Sequence, residues 1–285
     1  MPLPLIILLA LLGVLLLLFL LVILTVRPNR RRGATALYTS YNYTHRGLFG
    51  NGIPENSLAA FRASCEAGYG IELDVALSRD GVPMVFHDDS LLRMCGVDAR
   101  ISDYTAEELG KMPLDGDASH TIPTFAEVLA TVDGRVPLIV EIKVAPGDKA
   151  DPVCSAAMAL LDHYKGAFCV ESFNPYAVHW FRRNRPLLVR GQLSDAFHKK
   201  PKEFGVARLI VESLCTNFLT RPDFIAFNYR YPHHLPLALA RGLFSAATFG
   251  WTPRGDEEIT RALAHYDAVI FEQGRPPQRN EQDET

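Results

Sequence analysis

Behind an unbroken apolar opening, the chain alternates short apolar runs with longer amphipathic stretches, which is the pattern of repeated βα units and a parallel sheet. Eight such runs stand out, at residues 41–45, 69–75, 137–143, 167–172, 187–192, 224–229, 243–250 and 268–272. Helix-like segments separate them at 57–67, 124–132, 152–164, 175–184, 235–241 and 257–265. Local start signals agree: Asn174 stands before Pro175, and Thr124-x-x-Glu127 is a capping box. Two features interrupt the rhythm. Ser78-Arg79-Asp80-Gly81 is turn chemistry, so residues 82–87 are expected to fold back on the second strand as a hairpin. Residues 88–122 then read as a polar excursion with one brief helix at 106–111.

The opening itself is of another kind. Residues 5–26 include no charged side chain over 22 positions. At ~1.5 Å per residue, such a helix crosses a hydrocarbon core of ~30 Å. Arg27, Arg30, Arg31 and Arg32 follow it, whereas no Lys or Arg precedes it. A cleaved signal would carry its basic residues in front and a small-residue cleavage site directly behind; here Ala34-Thr35-Ala36 lies beyond the arginines. The expected organisation is a transmembrane anchor at 1–26, a basic juxtamembrane linker at 27–36, one catalytic domain at 37–274 and a polar tail at 275–285. The positive-inside rule predicts a single-pass membrane protein with its catalytic domain in the cytoplasm.

Composition narrows the functional classes. Of 29 basic residues four sit in the arginine cluster, leaving 25 against 32 acidic ones, so nucleic acid is not an expected partner. The five cysteines are odd in number and form no CxxC pair, which points to free thiols rather than a disulfide framework. A single Gly13 in the apolar span makes no GxxxG motif, and no protein partner is predicted.

Candidate chemistry collects where the apolar runs end. His45 and Arg46 follow the first run, Glu72 and Asp74 close the second, His87 ends the hairpin strand, and Glu141 and Lys143 close the third. In a (β/α)8 barrel the carboxyl ends of the strands build the active site. Residues two apart on a strand share a face, so Glu72 pairs with Asp74, and Glu141 with Lys143. Three carboxylates brought together repel one another unless protons or a divalent cation intervene. Oxygen ligands alone suit Mg²⁺ or Ca²⁺ better than zinc. The competing interpretation is a structural ion-pair network. Glu55 and Asn56 are assigned supporting roles before a helix, and His120, His163, His179, His198, His233 and His234 are assigned to surface or core without function.

These residues carry a resemblance. His45-Arg46-Gly47, Pro54-Glu55-Asn56-Ser57, Glu72-Leu73-Asp74-Val75, Asp80-Gly81, His87-Asp88, Ile122-Pro123-Thr124, Glu141-Ile142-Lys143 and Ser172-Phe173 resemble, in order, the motifs of the glycerophosphodiester phosphodiesterase family. The resemblance implies a TIM (β/α)8 barrel with a short insertion after its second strand. It implies hydrolysis of glycerophosphodiesters to sn-glycerol 3-phosphate and an alcohol, with one divalent cation, Mg²⁺ or Ca²⁺, held by Glu72, Asp74 and Glu141. His45 and His87 would be the acid and base, in either order, and Arg46 and Lys143 would bind phosphate. Phe173, Trp251 and Tyr229 are candidates for the alcohol side, where plain packing explains strand-end aromatics equally well. Toward the carboxyl end the pattern departs: Pro253-Arg254 follows Trp251-Thr252, and Glu272-Gln273 stands where the family commonly has Thr-Asp. Two alternatives remain, lysophospholipase D type cleavage of membrane lysolipids and a catalytically silent barrel that binds lipid or protein.

Overall fold

Runs rich in Val, Ile, Leu and Phe form strands buried on both faces, because each is covered by helices outside and by other strands within. The computed structural model describes residues 1–200 and 205–277. Its strands are β1 (Tyr43–His45), β2 (Gly70–Leu77), β3 (Pro83–Val85), β4 (Pro113–Leu114), β5 (Asp117–Thr121), β6 (Leu138–Ile142), β7 (Phe168–Ser172), β8 (Arg190–Ser194), β9 (Phe224–Asn228), β10 (Ala247–Arg254) and β11 (Ala268–Glu272). Eight of them lie parallel in the order β1-β11-β10-β9-β8-β7-β6-β2, and pairing of β1 with β2 closes the ring. The fold is the expected (β/α)8 barrel. Among the described residues, closure leaves no parallel strand with an open edge.

β3 runs antiparallel to β2 through the Ser78–Gly81 turn, as the turn residues predict. Thr124 and Asn174 cap their helices by accepting from Glu127 N and Tyr176 N, also as expected. The stretch 88–122 is richer than a polar excursion with one helix. It holds the helices Leu92–Cys95 and Ala106–Leu109, a 3-10 turn at Ile101–Asp103 and the β4–β5 hairpin. Leu91, Met94, Ile101, Leu109 and Leu114 form a small core there with Met84 and Phe86. Their spacing follows neither a helix nor a strand period, so the sequence gives no periodic signal for it. Helices at Val206–Glu212 and Asn217–Thr220 are likewise unforeseen. The strand expected at 243–250 begins later, at Ala247, because the preceding helix runs to Phe244 and ends on Ser245 in the left-handed region.

Strand parity divides the barrel into layers. Side chains of Tyr43, Ile139, Cys169, Val189, Leu193, Phe224, Phe249 and Ile270 fill the interior floor. Leu73, Val75, Val140, Ile142 and Val170 point outward to the helices. Two residues further along the inward-facing parity lie the polar groups of the mouth. The floor is tight at Gly191, where an added Cβ would stand 2.1 Å from the Phe224 ring. Gly191→Ala is therefore expected to cost about 1–3 kcal/mol through overpacking. Gly242→Ala, with open space around it in the helix Leu235–Phe244, should leave stability unchanged or raise it by up to ~1 kcal/mol. Thermal unfolding in detergent separates the two; equal midpoints would contradict the packing assigned to the floor.

The apolar opening forms one helix, Leu3–Val26, exposed along nearly its whole length. Its last residue, Val26, is buried among Leu214, Ile225, Phe227 and Leu237. Of the arginines that follow, Arg31 and Arg32 dock on the barrel. Arg31 donates to Asp223 Oδ1 at 2.7 Å and Oδ2 at 2.6 Å, Arg32 to Ser245 O at 2.8 Å, and Asn29 Nδ2 to Asp223 Oδ1 at 2.9 Å. Asp223 immediately precedes β9, so this clamp grips the amino-terminal end of the barrel. A helix at Arg32–Thr39 then crosses the floor, where Tyr38 donates to Phe168 O at the start of β7. Residues 275–277 of the expected tail are described; 278–285 lie outside the described residues.

Candidate active site

The turn after β1 is shaped by close approach. Arg46 takes a φ of 60° and Gly47 one of 84°, and a Cβ on Gly47 would stand 2.7 Å from Ala60 Cβ. Glycine is required there on both counts. The turn lets the Arg46 amide donate to Glu72 Oε2 at 3.1 Å while its guanidinium reaches over the mouth. Ser57 caps the next helix by accepting from Ala60 N, and this fixes the residues before it. Asn56 Nδ2 donates to Asp74 Oδ2 at 2.8 Å, and Glu55 accepts from Arg46 at 2.7 Å.

Glu72, Asp74 and Glu141 meet as parity predicts: they are buried, with one carboxylate oxygen from each within 4.8 Å of the others. Lys143 Nζ lies 2.9 Å from Asp74 Oδ1 and 2.8 Å from Glu141 Oε2, and Arg46 Nε is 3.4 Å from Asp74 Oδ2. Burial, with Asp74 and Glu141 beside it, pushes the Glu72 carboxyl well above the usual range. Burial likewise raises Glu141 despite Lys143. At Asp74 burial acts the same way but is outweighed by Lys143, His87, Arg46 and His45, which hold it well below the usual range. Burial would lower Lys143, but Asp74 and Glu141 raise it, so its ammonium stays charged. Three buried carboxylates of which two resist ionisation are a donor set that fits a hard divalent cation, whose charge would replace the missing compensation.

Each histidine is held at Nδ1 by a carboxylate. His45 Nδ1 donates to Glu272 Oε1 at 2.6 Å, and Arg254 Nε pairs with Glu272 Oε2 at 2.8 Å. His87 Nδ1 donates to Asp88 Oδ1 at 2.5 Å; Arg93 bonds Asp88 and Glu55, each at 2.6 Å. One chain of charged contacts thus runs from His87 through Asp88, Arg93, Glu55, Arg46 and Asp74 to Lys143. Such an arrangement fixes ring orientation and leaves Nε2 of each imidazole for other work. His45 Nε2 is 4.0 Å from Glu72 Oε2. Burial and the neighbouring Arg46 lower His45 more than Glu272 raises it, so its neutral form is favoured.

Among the described residues, clefts open on this cluster from two sides. His87, Asp88, Arg79, Ser102 and Lys143 line one; His45, Arg46, Arg93, Arg230, Arg254 and Trp251 line the other. Phe173 stands behind Trp251, edge to face at 5.5 Å. The structure therefore brings together His45, Arg46, Glu72, Asp74, His87, Glu141 and Lys143, with Trp251 at the rim. Sequence reading named Asp88 and Glu272 without giving either a role, and missed Arg93 and also Glu171, a buried carboxyl on β7 raised by burial and by nearby Glu141. The strand-end signal that marked Glu141 also marks Glu171 and Glu272.

A parallel (β/α)8 barrel that gathers acids, imidazoles and cations at the carboxyl ends of its strands is of the TIM-barrel class, in which that face builds the active site. Within that class, the chain belongs to the glycerophosphoryl diester phosphodiesterase family, whose sequence profile matches residues 45–272. It is 40% identical over 112 residues to a glycerophosphodiester phosphodiesterase of Bacillus altitudinis, covering 36% of this chain and 44% of that one. It is 32% identical over 158 residues to one of Caldanaerobacter subterraneus, covering 52% and 64%. The matched stretch thus spans about half the length of these relatives. Among solved structures, a glycerophosphodiester phosphodiesterase of Thermotoga maritima superposes with a TM-score of 0.61 at 27% identity, covering 80% of this chain and 92% of that one. A phosphodiesterase of Oleispira antarctica in complex with the product sn-glycerol-3-phosphate gives a TM-score of 0.67 at 23% identity over 86% and 98%, a likeness of fold.

Proposed function

We propose that the protein is a membrane-anchored hydrolase that cleaves water-soluble glycerophosphodiesters to sn-glycerol 3-phosphate and an alcohol. The observation that carries this reading is the convergence of Glu72, Asp74 and Glu141 beside two histidines, each oriented by its own carboxylate. The family supports it, as does the Oleispira relative, solved with that product. Glu72, Asp74 and Glu141 would hold one Mg²⁺ or Ca²⁺ ion, which when bound neutralises charge on the phosphoryl oxygens. Arg46 and Lys143 bind those same oxygens as fixed positive groups. His45 and His87 carry the proton traffic: in the net hydrolysis one imidazole accepts a proton from the attacking water as the new P–O bond forms, and the other donates one to the alcohol as its P–O bond breaks. Trp251 packs against the alcohol side, backed by Phe173.

The same cluster also suits cleavage of membrane lysolipids, and the position of the anchor bears on the choice. The segment that follows the helix Leu3–Val26 attaches through Asn29 and Arg31 to Asp223, at the amino-terminal end of β9 and opposite the mouth. Five-residue strands set the two faces ~17 Å apart before any loop is counted. With residues 1–26 in the bilayer, residues 27–36 against the barrel floor and the barrel of residues 37–274 in the cytoplasm, the mouth faces away from the headgroups. Substrate then arrives from water.

The test is a substrate comparison with the full chain in detergent. Glycerophosphocholine should be turned over with a kcat/KM at least ten times that for lysophosphatidylcholine. Chelator should stop the reaction and Mg²⁺ or Ca²⁺ restore it. Turnover of the lysolipid alone overturns the substrate assignment, and no turnover of either with either ion favours a silent binding barrel.

A further inference from the structure

On the far side of the mouth, four strands from β1 in the ring, a second group of potential ligands meets. His198 follows β8, Glu212 ends the helix Val206–Glu212, and His234 precedes the helix Leu235–Phe244 after β9. One donor atom from each lies within 4.8 Å of the others. Glu212 is buried; His234 is mostly buried, while the His198 side chain keeps 45% of its surface exposed. Their order is built in. Glu212 Oε2 accepts from the His198 amide at 2.9 Å, and Oε1 accepts from His234 Nε2 at 2.8 Å and from His198 Nδ1. The His234 ring lies flat on Phe227, with centroids 5.0 Å apart and planes 29° apart.

We infer that His198, Glu212 and His234 form a second metal site, of the zinc class, on the rim of the barrel. Two imidazole nitrogens and one carboxylate are a donor set that selects borderline transition ions, in contrast to the oxygen-only set of Glu72, Asp74 and Glu141. Two imidazoles directed at one carboxylate oxygen share the protons that a cation, at ~2.0–2.2 Å from each donor, would displace. The exposed flank of His198 leaves a path for entry and room for a water ligand. Bound there, the ion would tie together the segments after β8 and β9 and the helix between them. Phe197, next to His198, packs on Phe173 at 6.2 Å, so the same tie would stiffen the wall behind Trp251. Sequence reading gave His198 and His234 no function, because their common partner lies in a helix it did not foresee.

The test uses the full chain in detergent, stripped by chelator. Zn²⁺ binding is followed by metal analysis, and Co²⁺ binding by visible absorption, in the parent, Glu212→Gln, His234→Asn and Glu141→Gln proteins, with excess Mg²⁺ present. The parent and Glu141→Gln should each take up one equivalent and show the Co²⁺ bands. Glu212→Gln and His234→Asn should bind at least about 100-fold more weakly. Uptake by the parent that both rim variants retain overturns the inference, as does a parent that takes up none. Should those variants unfold, Zn²⁺ must still raise the melting temperature of Glu141→Gln, and its failure to do so also overturns it. Failure of the catalytic reading would appear instead as turnover indifferent to Glu141→Gln, leaving the rim result untouched.

Discussion

Replacing Glu141 with glutamine is expected to lower kcat/KM for glycerophosphocholine about 10³-fold while leaving the protein folded and at least as stable. The amide keeps the shape of the side chain but removes one of three buried negative oxygens that would grip the cation. Loss of the charge stabilisation supplied by a bound ion is worth several kcal/mol, and each ~1.4 kcal/mol is tenfold in rate. The stability change has the opposite sign. Burial raises the Glu141 carboxyl, as burial together with Asp74 and Glu141 raises Glu72. An acid whose pKa is raised in the folded state destabilises the fold at pH values above its unfolded pKa. Glutamine removes that penalty near pH 7, and Lys143 keeps Asp74 as its partner at 2.9 Å. Calorimetric titration with Mg²⁺ and Ca²⁺ should show weakened binding, and the melting temperature without metal should hold or rise. A Glu141→Gln protein with parental turnover and undiminished sensitivity to chelator would end the metal assignment.

That pairing of lost function with kept stability explains why part of the site was readable from the sequence. Glu72, Asp74, Glu141 and Lys143 interrupt runs that should be uniformly apolar, and the two-residue period of a strand aims them at one volume. Gly47 was readable as part of a motif, though its physical reason, contact with Ala60, appears only in the fold. Of the two orienting carboxylates, Asp88 adjoins His87 in the chain, whereas Glu272 was hidden by distance. Glu272 meets His45 across 227 positions, only because β11 pairs with β1 when the barrel closes. The basic segment shows another limit: Arg30, Arg31 and Arg32 suit a topology signal, yet Arg31 is bound by Asp223 and Arg32 by Ser245 O. Apart from the brief helix at Ala106–Leu109, the short irregular elements in 88–122 and 205–220 escaped because no period marks them.

His87→Ala and His45→Ala should each reduce kcat by about 10²–10⁴-fold, the usual contribution of a positioned proton carrier. Cation binding should survive in both, because neither imidazole belongs to the carboxylate triad, and this separates them from Glu141→Gln. Each variant should also lose one limb of the pH–rate profile, and which limb goes with which residue assigns the acid and the base. Glu272→Gln supplies a finer test of orientation, with an expected fall in kcat of about tenfold. Burial and Arg46 already lower His45, and Glu272 is the group that opposes them most. Removing the Glu272 charge also leaves Arg254, now 2.8 Å away, without its counter-ion. Both changes push His45 lower still, so the limb it governs should move to lower pH in Glu272→Gln. A shift toward higher pH, or a His45→Ala protein with the parental profile, would remove His45 from the reaction.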